Sequence, residues 1–177
     1  PNAMPKQIRI ADNGDILLLG VTYGVADLGG GPLLPPGNFL ARYAPDGTLL
    51  WSRLIGSETV SSFGRGLAIE PDGTIVVAVP FKGILELGET PVEALTVDIA
   101  VAALAPGGDV LWSRVFGGAG VDAPFGLAIT SDDHIVIGGT FEQTLDVGLC
   151  PVESPLGQNA FLLDLDASGN PTWMQSF

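Results

Sequence analysis

Apolar residues in this chain come in short alternating stretches and short unbroken runs, each closed by turn formers. The first set is Gln7-Ile8-Arg9-Ile10-Ala11, the turn Asp12-Asn13-Gly14, and then Asp15-Ile16-Leu17-Leu18-Leu19-Gly20. The order returns as Gly66-Leu67-Ala68-Ile69-Glu70-Pro71, Asp72-Gly73 and Thr74-Ile75-Val76-Val77-Ala78-Val79. It returns again as Gly126-Leu127-Ala128-Ile129-Thr130, Ser131-Asp132-Asp133 and His134-Ile135-Val136-Ile137-Gly138-Gly139. Alternation at period two predicts a half-buried strand, and a short run rich in Ile and Val between turns predicts a strand buried on both faces. Asp-Asn-Gly and Asp-Gly supply the positive φ angles of tight turns. Each copy therefore opens as a hairpin.

Behind each hairpin lies a variable segment marked by an acidic–apolar–Gly triplet: Asp27-Leu28-Gly29, Glu86-Leu87-Gly88 and Asp146-Val147-Gly148. Proline-rich stretches follow at Gly31–Gly37, Glu89–Glu93 and Cys150–Pro155. Proline cannot donate to a ladder, so these predict loops or edge structure. Third strands are predicted at Asn38–Tyr43, Ile99–Leu104 and Ala160–Leu165. A turn holding Gly47, Gly108 or Gly169 then leads to a fourth strand that carries tryptophan: Thr48–Gly56 with Trp51, Val110–Gly118 with Trp112, and a frayed copy, Pro171–Phe177, with Trp173. The three tryptophans recur every 61 residues, and so do the three glycines. Such spacing means one structural unit copied three times. The expectation is three four-stranded antiparallel sheets, each a sequential meander, with limits near residues 4–62, 63–123 and 124–177.

A meander with two apolar faces must stack on its neighbours, and radial stacking of such sheets is the β-propeller. The repeat resembles the bacterial β-propeller repeats of cell-surface and secreted proteins. The match lies in Gly126-Leu127-Ala128, Gly139-Thr140-Phe141, Asp146-Val147-Gly148, Ala160–Gly169 and Trp112–Gly118, and it covers nearly all of the chain. The resemblance implies an all-β fold of propeller blades, an extracellular or cell-surface setting, and no common catalytic residues. Propellers close with four to eight blades. This chain holds three, so the expected form is half of a six-bladed ring completed by a second copy in a homodimer.

Composition agrees with many short strands: 46% hydrophobic residues, 25 Gly, 14 Pro and only 15% charged. No run of 18 apolar residues is free of turn formers, so no membrane-inserted helix is expected. The net charge is −13 and no Lys or Arg follows Arg114. Without clustered cations, nucleic acid is excluded as a partner. The single Cys150 excludes an intramolecular disulfide. The N-terminus lacks the regions of a signal peptide, and Pro1-Asn2-Ala3 ahead of Met4 reads as a cloning scar on a trimmed chain.

Several groups invite a chemical reading. Trp51, Trp112 and Trp173 suit either ligand platforms or packing between blades, and strict repetition at one strand position favours packing. Arg53 and Arg114, two residues on, are candidates for pairing with carboxylates of the next repeat, whereas Gln175 takes that place in the third copy. Asp164, Asp166, Ser168 and Gly169 match the opening of a calcium loop, but the terminal acid falls on Gln175, so a hairpin turn is expected and no cofactor. Asp132-Asp133-His134 holds the only histidine; with Cys150 it makes two candidate zinc ligands with no third. Gly29-Gly30-Gly31 precedes no helix or lysine and is not a phosphate loop. The leading functional expectation is a non-enzymatic module for assembly or binding. A lectin-like binder with one site per repeat and a propeller enzyme of the lyase or quinoprotein kind are the alternatives. The ligand is not legible.

Overall fold

The computed structural model describes residues 2–33, 36–57, 65–87 and 91–177, with backbone alone at 155–156. The protein is all-β. The first sheet contains β1 (Ala3–Ile10), β2 (Ile16–Thr22), β5 (Gly37–Tyr43) and β6 (Leu49–Ser57), with a separate two-stranded ribbon of β3 (Ala26–Asp27) and β4 (Pro32–Leu33) between β2 and β5 in the chain. The second contains β7 (Gly66–Ile69), β8 (Ile75–Leu85), β9 (Val92–Leu104) and β10 (Val110–Phe116). The third contains β11 (Ala123–Ile129), β12 (Ile135–Leu145), β13 (Val152–Leu165) and β14 (Pro171–Ser176). Each is a four-stranded antiparallel meander in sequence order, as expected of propeller blades. The expected boundary at residues 62 and 63 lies outside the described residues.

The turns repeat atom for atom. Ala44 N–H donates to the Thr48 carbonyl and Gly47 N–H to the Ala44 carbonyl; Ala105, Asp109 and Gly108 repeat this, as do Asp166, Asn170 and Gly169. Gly47, Gly108 and Gly169 all have φ between 77° and 94°, the left-handed residue that closes a type I turn into a bulged hairpin. Asp133 takes the same role without being glycine, at φ 63°.

Two expectations need correction. The third strand of the second and third sheets begins well before Ile99 and Ala160, at Val92 and Val152. It does so because β8 and β12 continue to Leu85 and Leu145 and pair with these earlier residues, so two long hairpin arms replace the expected loops. Pro155 is tolerated inside β13 because the register jumps there, from Gln143↔Ser154 to Glu142↔Gln158. The central strands were also expected to be buried on both faces. Only β8 is: Ile75, Val77, Val79 and Phe81 pack toward the first sheet, and Val76 and Ala78 toward the third. In β2 the buried apolar side chains Leu17, Leu19 and Val21 alternate along the strand while Ile16 and Leu18 are half-buried, and in β12 Ile135, Ile137, Phe141 and Leu145 are buried while Val136 and Gly138 are not.

The core is therefore two apolar layers between three stacked sheets. The first joins Leu17, Leu19, Leu40 and Ile55 to Leu67, Ile75 and Val77. The second joins Val76, Val101 and Phe116 to Ile135, Phe161 and Leu163. Interiors packed this way lose about 2–5 kcal/mol when a large aliphatic side chain is cut to alanine.

Candidate functional site

The repeated chemistry sits where one sheet meets the next. Trp51 on β6 reaches across to the β9–β10 turn: its indole N–H donates to the Pro106 carbonyl at 3.0 Å. Its ring lies over Gly108, where a Cβ would stand 3.1 Å away. Trp112 on β10 does the same one blade later. Its N–H donates to the Ala167 carbonyl at 3.1 Å, and a Cβ on Gly169 would stand 2.6 Å from its ring. Glycine is thus required twice over, by its positive φ and by the indole above it. Arg53 and Arg114 complete the joint, but with carbonyls rather than the expected carboxylates: Arg53 donates to Gly108 O, and Arg114 to Ser168 O and the Asn170 amide oxygen. The Arg114 guanidinium also lies 5.8 Å from the Trp112 ring centroid, within cation–π range. Backbone carbonyls of a tight turn are exposed acceptors whatever the sequence, whereas no acid recurs at these turns.

Trp173 on β14 has the same strand position and no such partner. It is 45% exposed, and among the described residues its N–H has no acceptor. Gln175 instead donates to the neighbouring Ser176 carbonyl. At the other end of the chain, the turn of Gly47 is built like those of Gly108 and Gly169, yet nothing lies within 4 Å of where its Cβ would be.

Further polar contacts cross the first layer. Arg42 pairs with Asp15 at 2.8 Å and donates to Pro106 O at 2.9 Å. The Asn13 amide, with Arg42 beside it, holds the Asp15 carboxyl below its ordinary range. The buried Arg65 donates to Asn38 Oδ1 at 2.6 Å, and Asn38 to Pro80 O at 2.7 Å; burial lowers the Arg65 pKa to about 10. None of these residues has a copy in all three repeats, so no periodic signal marked them. A cleft of about 540 Å³ opens beside this network, lined by Asn13, Arg42, Glu70 and Asp72.

In the third sheet Asp164 is not turned toward Asp166. It accepts from Thr172 Oγ1 and lies 2.7 Å from His134 Nδ1, and this contact raises the His134 pKa above its ordinary value. Asp166 caps its own turn, accepting from the N–H groups of Ser168 and Asn170 at 2.9 Å. Ser168 supplies its carbonyl to Arg114. Among the described residues no group of three or more His, Cys, Asp or Glu is placed to hold a metal. The full length of β12 separates His134 from the exposed Cys150. The N–H groups of Gly29 and Gly31 are held by Asp27 Oδ1 at 2.8 and 3.0 Å, so that small nest carries the chain's own carboxylate.

One buried acid escaped the sequence reading. Asp122 is fully buried at the entry to β11, and neither carboxylate oxygen has a hydrogen-bond partner. Burial, reinforced by the charge of Asp98, pushes its pKa up to about 7; the approach of the Glu142 and Gly118 N–H groups offsets this only in part. The position one repeat earlier is Ser62, so no periodic signal marked this acid.

No protein-family model matches the chain. It is similar to an uncharacterized WD repeat-containing protein of Acanthamoeba polyphaga mimivirus, 24% identical over 172 residues that take in 78% of this chain. The chain spans only 12% of that protein's length. The likeness points to the β-propeller kind of repeat, the architecture that the three stacked meanders display.

Proposed function

We propose that this chain is a non-enzymatic β-propeller module of a bacterial surface or secreted protein, used for assembly or binding. The observation that supports it is the joint itself. The repeated tryptophans and arginines of the first two blades reach for backbone carbonyls of the next blade. Residues that recur because they hold blades together are not free to recur as a catalytic constellation. The name of the similar viral protein says only that it contains WD repeats, and it fits a module whose work is done by surfaces.

The test compares Trp112→Ala with the parent chain in thermal unfolding and in glycan-array binding. A fall in melting temperature without any change in the array supports the assembly reading. Unchanged stability together with loss of a glycan ligand would establish the lectin-like alternative in its place.

A further inference from the structure

We infer that two copies of this chain join end to end through the same tryptophan–turn joint, the third blade of each seated on the first blade of the other. The inference rests on the assembly reading above and names the partner, a second copy. In it, the Trp173 indole lies over Gly47 and donates to the Pro45 carbonyl, as Trp51 does to Pro106 and Trp112 to Ala167.

Three observations carry it. The two half-joints are complementary: Trp173 is a donor without an acceptor, and the Gly47 turn has the hydrogen-bond pattern of the two occupied turns with open space above it. The burial pattern is complementary as well. On the face toward a preceding blade, Ile75 and Val77 of the second sheet and Ile135 and Ile137 of the third are wholly buried, whereas their counterparts Ile16 and Leu18 are only half-buried. On the face toward a following blade, Leu17, Leu19, Val76 and Ala78 are wholly buried, whereas Val136 and Gly138 are not. The triplets show the same asymmetry: Leu87 and Val147 are buried in the two core layers, and Leu28 remains half-exposed.

Charge selects this orientation over its alternatives. Residues 4–62 hold four Lys or Arg against five Asp or Glu, while residues 124–177 hold no Lys or Arg and seven Asp or Glu. Two third blades facing each other would set like charge against like, whereas a third blade on a first blade does not. Contacts between different patches of identical chains close into a ring when the rotation allows. Two copies then make six blades, within the range that propellers use.

Light scattering of the 177-residue chain at micromolar concentration should give twice its 18.2 kDa mass. Trp173→Ala and Leu18→Glu should each weaken the pairing at least tenfold while the circular dichroism spectrum stays unchanged. Gln175→Arg, which supplies the donor that Arg53 and Arg114 provide, should tighten it. Mixing Trp173→Ala with Leu18→Glu should restore pairing in part, because one undamaged joint can form only between unlike copies. A monomeric parent chain, a larger polymer, or failure of the mixture to pair would overturn the inference. Trp112→Ala keeps the two readings apart: if it lowers the melting temperature of a monomeric parent, only the pairing fails, and if it does not, the joint reading fails with it.

Discussion

At the scale of single residues, two titratable groups make the fold report on pH. His134 is the only histidine, so its proton resonances need no assignment. The Asp164 carboxylate holds its pKa above 6.5, and Asp164→Asn should bring the titration midpoint down. The sign follows: the pair stabilises the fold fully below the unfolded value and ceases to do so as pH rises through the folded one. A parent midpoint no higher than that of Asp164→Asn would contradict the contact. Asp122 acts in the same direction for a different reason. Its folded pKa of about 7 lies far above an unfolded carboxyl, so the protonated form is the one the fold accepts, and stability falls as pH rises from about 4 to about 7. Asp122→Asn should remove that slope and add on the order of 3 kcal/mol at pH 8. Urea melts at pH 5 and pH 8 measure it, and parallel pH dependence in parent and variant would refute it.

At the scale of elements, the joint predicts unequal costs for equal substitutions. A Cβ at Gly169 would stand 2.6 Å from the Trp112 ring, against 3.1 Å between Gly108 and Trp51. Both glycines have positive φ, 77° at Gly169 and 94° at Gly108, so alanine is strained at either. If the closer ring sets the cost, Gly169→Ala should destabilise more than Gly108→Ala, and thermal melts that order them the other way would show that the ring does not decide it. Trp112→Ala should cost about 3 kcal/mol or more, as large aromatic truncations do. Calcium and EDTA should leave the melt unmoved, since Asp164 serves His134 and Thr172 while Asp166 caps its own turn; a rise of several degrees with calcium would overturn that assignment. The meanders were legible because turn glycines and strand runs recur at fixed spacing, and a repeated local rule needs no knowledge of long-range contacts. The hairpin arms were not, because Val92–Asp98 and Val152–Asn159 look like proline-flanked loops until the opposite strand is known to continue. Nor was Asp122, whose burial arises from a crossing between blades and leaves no mark on the local pattern.

At the scale of the whole molecule, each sheet is held by its neighbours, and stability in such arrays is close to a sum over blades and interfaces. The second blade has two interfaces within the chain and the outer blades have one each, so pairing between copies would give every blade two. The contact that would achieve this is apolar with a few neutral hydrogen bonds, while each chain carries a net charge of −13. The two contributions respond oppositely to salt. Repulsion between the copies acts over a screening length of about 30 Å at 0.01 M salt and only about 10 Å at 0.1 M, whereas burial of Trp173, Leu18 and Ile16 does not weaken over that range. Association should therefore strengthen as sodium chloride rises from about 10 mM to about 150 mM. The dependence should be shallow, because of the two blades that would meet the first is nearly neutral and the third alone is strongly acidic. Sedimentation across that series decides the point: pairing that weakens with added salt would mean that ion pairs, not the tryptophan joint, hold the copies together.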